Sequence, residues 1–392
     1  RLGERAAISG EPLEYEPSGA VHLHALSVGE AMLALKLIRA WREREPERRF
    51  VQATGTATGH AVATGAGIPG LRVTYAPLDF PSMVRRYLDR FEPERIVLVE
   101  GEAWPHLMIG CRRRGIPVAL VNARMSPRSA RRYRKCAAWL RPLFCMLDAV
   151  AVQETEDAEV WKLLGVEPER IHHTGSLKFD PAGGALPAKR DEFQKMIDAF
   201  GKNRRVVLAA STHPGEDAWI ATAIREAAPD ALPVIVPRHA ERRDEVRAEL
   251  EQAGFEVVLR SHFGAAATGD RRHVLVVDST GELRDWTAHA DVVVIGKSFL
   301  ATGGQNPAEA ILARKPLVCG PHMENFEPLA SRLVASGGCL IAENQDQLRD
   351  AIRQALDPAN AEAMCGNASK VLATHEGATR RILDLLDNRF PA

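Results

Sequence analysis

In the first half of the chain, the acidic residues that could take part in catalysis follow short apolar runs. Ser27-Val28-Gly29-Glu30 comes after one such run and opens a stretch of helical period. A carboxylate there, Glu30, could remove a proton from a substrate, or it could serve as a first-turn acid that interacts with the helix dipole. Glu100 and Glu102 end another run two residues apart, so in a strand they would share a face. Their repulsion would raise the pKa of one carboxyl unless a cation or a sugar hydroxyl lay between them. Both places are candidates for acid–base chemistry.

The candidate groups of the second half suit an anion. Ser211 and Thr212 supply hydroxyls where a helix begins, and the free backbone N–H groups of a helix start bind phosphate. Arg238 follows another apolar run, where its guanidinium could bind a phosphate or carboxylate or form a surface ion pair. In Gly303-Gly304-Gln305-Asn306-Pro307-Ala308-Glu309 a glycine pair precedes a helix start with an acid in its first turn. The backbone there can approach a ligand closely.

Several familiar site patterns are absent or misplaced. Gly65-Ala66-Gly67-Ile68-Pro69-Gly70 fits G-x-G-x-x-G, but it precedes a strand, whereas a dinucleotide site follows one. The 13 histidines include no H-E-x-x-H and the 6 cysteines no C-x-x-C. G-x-S-x-G and the P-loop pattern are also missing, which argues against serine hydrolases and P-loop nucleotide hydrolases. We therefore expect neither a metal nor a cofactor.

The amino-acid composition limits the classes of protein to which this chain can belong. The 392 residues predict two domains, and the shares of 45% hydrophobic and 26% charged residues are those of a folded globular protein. Lys+Arg and Asp+Glu are 51 each, a balance that argues against nucleic acid as the partner. No apolar run reaches the roughly 18 to 20 residues of a membrane helix. The chain opens at Arg1 rather than Met, so we expect its natural start to be missing.

Apolar runs alternate with segments of helical period, which is typical of βα units in parallel sheets. The predicted strands of the first half are Val21–Leu26, Phe50–Thr54, Arg72–Ala76, Arg95–Val99, Pro117–Val121, Ala149–Gln153 and Ile171–Thr174. After a linker over Ser176–Arg190, those of the second half are Val206–Ala209, Pro233–Val236, Glu256–Leu259, His273–Val277, Val292–Ile295, Leu317–Cys319 and Cys339–Ile341. The fold class is α/β, with two Rossmann-like doubly wound domains facing a cleft.

A strongly basic stretch stands out against the balanced total. Ala103–Leu147 contains 10 Lys and Arg residues and no acid. A solvent-exposed helix face would account for this stretch, but such faces usually carry charges of both signs. An anionic membrane surface or a phosphorylated lipid would be a suitable partner.

Seven motifs occur in order along the chain: Ser27-Val28-Gly29-Glu30, Glu100-Gly101-Glu102-Ala103-Trp104-Pro105, Asn122-Ala123-Arg124 with Ser126, Gly175 with Leu177-Lys178-Phe179-Asp180, Ala210-Ser211-Thr212-His213, Pro237-Arg238-His239 and Gly303-Gly304 with Asn306, Pro307 and Glu309. Taken together, they resemble those of the bacterial 3-deoxy-D-manno-octulosonic acid (Kdo) transferases of lipopolysaccharide biosynthesis. The resemblance implies a GT-B glycosyltransferase that moves Kdo from CMP-Kdo to a lipid A precursor, with inversion and without a metal. It also implies an acceptor-binding domain over 1–176, a CMP-Kdo-binding domain over 177–392, and an N-terminal anchor, absent here, that holds the enzyme on the cytoplasmic face of the inner membrane.

The resemblance also assigns roles to residues. Glu30 matches the catalytic base. Glu102 would bind the acceptor or stabilise the positive charge that develops on the donor sugar, and Glu100 is the alternative residue for this role. The acceptor-binding candidates are Ser27, Gly29, Glu100 and Arg124. The donor-binding candidates are Ser211, Thr212, Arg238, Lys297, Gly303, Gly304, Asn306 and Glu309.

Departures from the family pattern leave other functions open. Gly101, Ala103 and His106 differ from the common run around Trp104-Pro105, and Lys297 stands where many relatives have a small residue. Another GT-B enzyme of nucleotide sugars, such as a hexose transferase or an epimerase, is the alternative, because a fold does not determine a function. A two-lobed solute-binding protein is the non-enzyme alternative.

Overall fold

The computed structural model describes residues 2–5, 18–101, 104–125, 127–180, 187–264 and 272–390. The chain divides into two compact units, Arg1–Gly183 with His375–Ala392, and Gly184–Thr374. This division differs from the boundary after residue 176, and it returns the C-terminal segment to the first unit. The contacts of that segment explain its place. The carboxylate of Asp180 accepts hydrogen bonds from the backbone of Gly377 and Thr379, and Leu386 is buried in the first unit's core.

The first unit contains a sheet of seven parallel strands. They are β1 (Val21–His24), β2 (Phe50–Thr54), β3 (Leu71–Tyr75), β4 (Arg95–Val99), β5 (Val118–Ala123), β6 (Ala149–Val152) and β7 (Ile171–His173). Their order across the sheet is β3-β2-β1-β4-β5-β6-β7, so the direction of winding reverses between β1 and β4. Ligands of such sheets bind at the carboxyl ends of the strands beside that reversal.

Helices cover both faces of this sheet, which explains why the central strands read as continuous apolar runs. Those before the linker are α1 (Leu2–Arg5), α2 (Val28–Arg44), α3 (Ala57–Gly65), α4 (Pro81–Phe91), α5 (Pro105–Arg114), α6 (Pro127–Lys135), α7 (Ala137–Phe144) and α8 (Asp157–Leu163), with a short 3-10 helix at Pro168–Arg170. One core cluster packs on the α2 face of the sheet and another on the α4 and α5 face.

The second unit repeats this architecture. Its parallel strands are β8 (Val206–Thr212), β9 (Leu232–Pro237), β10 (Glu256–Leu259), β11 (His273–Val276), β12 (Val292–Ile295), β13 (Leu317–Cys319) and β14 (Leu340–Ile341), in the order β10-β11-β9-β8-β12-β13-β14. Its helices are α9 (Asp191–Ala199), α10 (Asp217–Ala227), α11 (Arg243–Gln252), α12 (Leu283–His289), α13 (Ala308–Leu312), α14 (Leu329–Ala335), α15 (Gln345–Leu356) and α16 (Pro358–Ala373), with 3-10 helices at Ala240–Arg242, Arg260–His262 and Glu324–Phe326. The chain ends with α17 (Ala378–Arg389) in the first unit.

The α/β fold class is confirmed. All 14 strands predicted from the apolar runs are present in the described part of the chain, with ends that differ by at most three residues. Burial on both faces makes such strands easy to recognise. In the described ranges, none of the helices has the length and hydropathy needed to cross a membrane.

Candidate functional site

Glu30 lies in the first turn of α2, where the chain has just left β1. The N-cap residue is Ser27, whose Oγ accepts a hydrogen bond from Glu30 N (3.2 Å) and donates one to Glu30 Oε1 (2.8 Å). Glu30 Oε2 accepts hydrogen bonds from the backbone N–H groups of Leu26 (2.7 Å) and Ser27 (3.4 Å). This capping box orients the carboxylate of Glu30, a residue that is only 9% exposed. Because a carboxylate has about four lone-pair sites, it retains capacity to accept a proton from a substrate.

Glu100 follows β4 and adopts a left-handed backbone conformation, with φ of 68°. Its backbone N–H donates to Val121 O (2.9 Å), and its backbone oxygen accepts from Arg124 N (3.4 Å). Burial raises the pKa of the Glu100 carboxyl, and the charge of Glu30 raises it further, while Arg124 and Lys178 act in the opposite direction. Glu30, Glu100 and Arg124, all predicted from the sequence, therefore lie in one electrostatic neighbourhood.

The other candidates of the first unit divide into three cases. Ser27 belongs to the capping box of Glu30. Gly29 is in the first turn of α2, where an added Cβ would meet only Ser27 Oγ, at 3.9 Å, so packing does not require glycine there. Glu102, the expected partner of Glu30 in catalysis, lies outside the described residues.

Lys178 is a site residue that the sequence analysis did not assign. Burial lowers the pKa of its ammonium group, as does the nearby charge of Arg124, while Glu100 acts in the opposite direction. Two acidic and two basic side chains, Glu30, Glu100, Arg124 and Lys178, thus act on one another's charge beyond the carboxyl ends of the first sheet. Lys178 is part of the motif Leu177-Lys178-Phe179-Asp180, and that motif was the available sequence signal, although no role was assigned to the lysine.

A cavity of about 80 Å³ lies at the carboxyl ends of the second sheet. Its lining residues are Ala210, Ser211, Arg238, Leu283, Thr287, Val293, Ile295, Gln305, Asn306, Glu309 and Ala310. Four donor-binding candidates therefore meet around one space: Ser211 near the end of β8, Arg238 after β9, and Asn306 and Glu309 after β12. Ser211 reaches the cavity from a left-handed position, φ of 58°, at an irregularity in the pairing of β8 with β9.

One carboxyl group and two guanidinium groups carry the charges at and beside this cavity. Burial raises the pKa of Glu309, while Arg284 and then Arg238 act to lower it. The sequence analysis did not assign Arg284. It lies in the first turn of α12, beside the cavity-lining Leu283, and its Nε is buried without a hydrogen-bond partner. A cation beside an acid at a helix start was too common a pattern to identify it from sequence.

Thr212 does not line this cavity. Its Oγ1 donates a hydrogen bond to Asp217 Oδ1 (2.5 Å), and Arg242 Nη2 contacts the same carboxylate at 2.9 Å. Burial raises the pKa of Asp217, against the hydrogen bonds from Thr212 and Arg242. The hydroxyl of Thr212 is therefore engaged in the core of the second unit.

Lys297, Gly303 and Gly304 belong to the loop after β12. The side chain of Glu216 holds the backbone of this loop in place. The buried carboxylate of Glu216 accepts hydrogen bonds from the backbone N–H of Lys297 at 2.6 Å and of three further residues, His213, Phe299 and Leu300. Gly304 N donates to Lys297 O (3.1 Å). With φ of 107° and 68°, Gly303 and Gly304 adopt conformations that favour glycine. None of these three residues lines the cavity.

Most basic residues of the stretch predicted from the sequence are exposed to solvent on the first unit. The exposed basic residues of this stretch lie on α5, α6 and α7, and together we call them the basic surface: Arg112, Arg113, Arg114, Arg131, Arg132, Arg134, Lys135 and Arg141. Trp139 lies on α7 with Arg141 and is 88% exposed. Across the described ranges, no group of three or more His, Cys, Asp or Glu side chains is arranged to hold a metal ion.

Comparisons with known proteins agree with the motifs. Residues 1–181 match the family described as 3-deoxy-D-manno-octulosonic-acid transferase (kdotransferase). The chain is 37% identical to the 3-deoxy-D-manno-octulosonic acid transferase of Bordetella pertussis, with 99% of this chain and 90% of the relative covered. It is 31% identical to the Haemophilus influenzae transferase of the same name, over 98% of this chain and 90% of that one.

Among solved structures, the fold is shared with UDP-GlcNAc 2-epimerase from Neisseria meningitidis. The TM-score is 0.60 at 12% identity, covering 94% of this chain and 100% of that chain. Such a low identity shows the fold alone, whereas the full-length relatives show the family. The chain is thus a GT-B protein and belongs to the Kdo transferase family of glycosyltransferases.

Proposed function

We propose that this enzyme transfers Kdo, with inversion, from CMP-Kdo to a lipid A precursor at the cytoplasmic face of the bacterial inner membrane. The observation that carries the proposal is the cavity of the second unit. It joins the side chains of Ser211, Arg238, Asn306 and Glu309, each selected from the sequence as a donor-binding candidate. This set combines a cation for phosphate with groups that bind hydroxyls.

On the donor side, each group has a chemical partner in CMP. The guanidinium of Arg238 suits the phosphate, which it can bind with two hydrogen bonds. The carboxyl of Glu309 can accept hydrogen bonds from ribose hydroxyls, and the amide of Asn306 can donate or accept. The cavity is small, so we expect it to hold part of the nucleotide, with the remainder on the open ends of the strands.

On the acceptor side, Glu30 acts as the general base. Its carboxylate takes the proton of the attacking sugar hydroxyl, and the freed oxygen forms a bond to the anomeric carbon of Kdo. General bases contribute about 10²–10⁴-fold to rate. The capping box supports this role because a base that is already oriented loses little freedom in the transition state.

The bond that breaks joins the anomeric carbon to the phosphate oxygen of CMP. The electron pair leaves with that oxygen, and the oxygen of the acceptor replaces it on the opposite face, which inverts the configuration. We assign the stabilisation of the leaving phosphate to Arg238 and Lys297, and therefore propose transfer without a metal. Arg124 and Glu100 would orient the acceptor.

The basic surface supports the proposed location. Lipid A precursors carry phosphates and the inner leaflet is anionic, so exposed Lys and Arg side chains gain about 1 kcal/mol each near such a surface. Trp139 suits the same boundary, because its ring is apolar and its N–H is polar. This surface lies on the unit that carries Glu30.

Mass spectrometry of a reaction with CMP-Kdo and a tetraacylated lipid A precursor tests the proposal. We expect a product heavier by one or more Kdo residues and release of CMP. In parallel, CMP-Kdo should raise the melting temperature, as any ligand of the folded state does. A UDP-sugar that stabilises the protein while CMP-Kdo does not would instead favour a different GT-B activity.

A further inference from the structure

Asn122 has an unusual backbone in the middle of the first unit's candidate site. It lies near the end of β5, with φ of 53° and a fully buried side chain. The pairing of β5 with β6 is irregular between Leu120 and Ala123, which brackets this residue. Non-glycine residues in the left-handed region are uncommon, although Asn tolerates it better than most, and they persist where the surroundings impose it. The contacts of Asn122 show what imposes this conformation.

The side chain of Asn122 contacts two parts of the site. Its Oδ1 accepts a hydrogen bond from Leu177 N at 2.8 Å and a longer one from Ser176 Oγ at 3.5 Å. Because a backbone N–H can only donate, the orientation of the amide is determined, and Nδ2 must point the other way. There it contacts Glu100 Oε1 at 3.5 Å. On the other side, the backbone oxygen of Asn122 accepts from Gln153 Nε2 at 2.8 Å.

The segment that Asn122 holds carries Lys178. Ser176 Oγ, which donates to Asn122, also accepts a hydrogen bond from Lys178 N at 3.3 Å. Lys178 and Glu100 each appear among the charges that act on the other's pKa. One buried amide therefore connects the backbone before the lysine to the carboxyl group that faces it.

We propose that Asn122 is a positioning residue, whose amide sets the separation between the carboxyl of Glu100 and the ammonium of Lys178. The inference rests on the proposed function, since it gives that pair a role in orienting the sugar substrates. Asn122 itself would touch neither substrate. A displacement of about 1 Å in such a pair can reduce a rate by about 10²-fold.

Asn122→Asp is the informative change, because it preserves shape and the acceptor for Leu177 N. It replaces the N–H group that faces Glu100 with a carboxylate oxygen, and a like charge raises the pKa of a carboxyl. We expect the pKa of Glu100 to rise in this variant, as measured by carbon NMR of glutamate labelled at the side-chain carboxyl, with Glu100→Gln assigning the signal. We also expect Kdo transfer to fall by about 10²-fold in kcat, with an unchanged affinity for CMP-Kdo.

Asn388→Asp is the matched control, since it adds the same charge to the same unit at an exposed position of α17. It should change neither the Glu100 titration nor transfer. Asn122→Ser, which keeps a small donor and acceptor, should recover part of the rate lost in Asn122→Asp.

A purely structural role for Asn122 predicts a different pattern. Melting temperature would fall in Asn122→Asp while the kcat of the folded enzyme stayed at its wild-type value, and that result would overturn the inference. If wild-type protein moves no Kdo at all, the proposed function fails, yet the NMR titration still decides whether Asn122 acts on Glu100.

Discussion

Glu100 and Glu30 approach each other in the first unit closely enough that the charge of Glu30 adds to burial in raising the pKa of Glu100. The two residues follow different strands, β4 and β1, which are neighbours in the sheet. Their proximity concentrates negative charge at the sheet edge where Arg124 and Lys178 supply the opposing charge. Such opposed charges are typical of sites that handle protons and charged intermediates.

The raised pKa of Glu100 has a consequence for stability. The unfolded chain loses this proton near the ordinary value of 4.5, whereas the folded protein retains it to higher pH. Stability contributed by the protonated form is therefore lost as pH rises from 4.5 through the folded pKa. We expect Glu100→Gln to be more stable than wild type in urea unfolding at pH 7 and equal to it below pH 4.5. A gain that persisted at pH 4 would contradict the assignment.

Glu30→Gln separates the two roles of this residue. Glutamine also completes a capping box, so we expect little change in melting temperature. It cannot accept the proton of the acceptor, so transfer should fall by about 10²–10⁴-fold while CMP binding is retained. Ser27→Ala is the matched variant, because it removes the cap and should cost about 1 kcal/mol of unfolding free energy. Wild-type transfer by Glu30→Gln would remove Glu30 as the base.

Arg238→Gln tests the donor cavity. A hydrogen bond to a charged group contributes about 1.5–3 kcal/mol, so affinity for CMP should weaken by about 10- to 100-fold in titration calorimetry. Arg247→Gln removes the same charge from an exposed position of α11 and should bind CMP as wild type does. Equal affinities in the two variants would exclude a phosphate contact by Arg238.

His24 should make β1 sensitive to acid. Burial lowers the pKa of His24 from 6.5 to about 4. Below pH 6.5 the unfolded state therefore binds a proton at His24 that the folded state does not bind, and stability falls as pH decreases from 6.5 towards 4. His24 by itself contributes about 3 kcal/mol to this loss. We expect hydrogen exchange of the β1 amides to lose protection over this range. His24→Leu should reduce the effect, whereas a change at the exposed His262 should leave it intact.

The basic surface should bind anionic membranes. Arg131→Gln combined with Arg134→Gln removes about 2 kcal/mol of attraction, or about 30-fold in binding to vesicles containing phosphatidylglycerol. Trp139→Ala should also weaken binding, and it should do so with less dependence on salt. Arg243→Gln with Arg247→Gln is the control of equal charge on the second unit. Equal vesicle binding by both double variants would refute the assignment of this surface.

The strands, and much of the chemistry, could be read from the sequence alone. Parallel strands buried on both faces appear as apolar runs, and a serine three residues before a glutamate marks a helix start, as at Ser27 and Glu30. Ligand groups follow strands in such folds, which is why Ser211, Arg238 and Glu309 could be selected before their meeting in one cavity was known.

Only the tertiary structure decided which of these groups meet. The sequence analysis favoured a hydroxyl role for Thr212, but folding turns that side chain to Asp217. It did not assign Lys178, and it could not foresee that Asn122 would join Glu100 to the segment before that lysine. Apolar periodicity is a local property of the chain, whereas hydrogen bonds and charge pairs between distant loops depend on strand order and on the burial that follows from it.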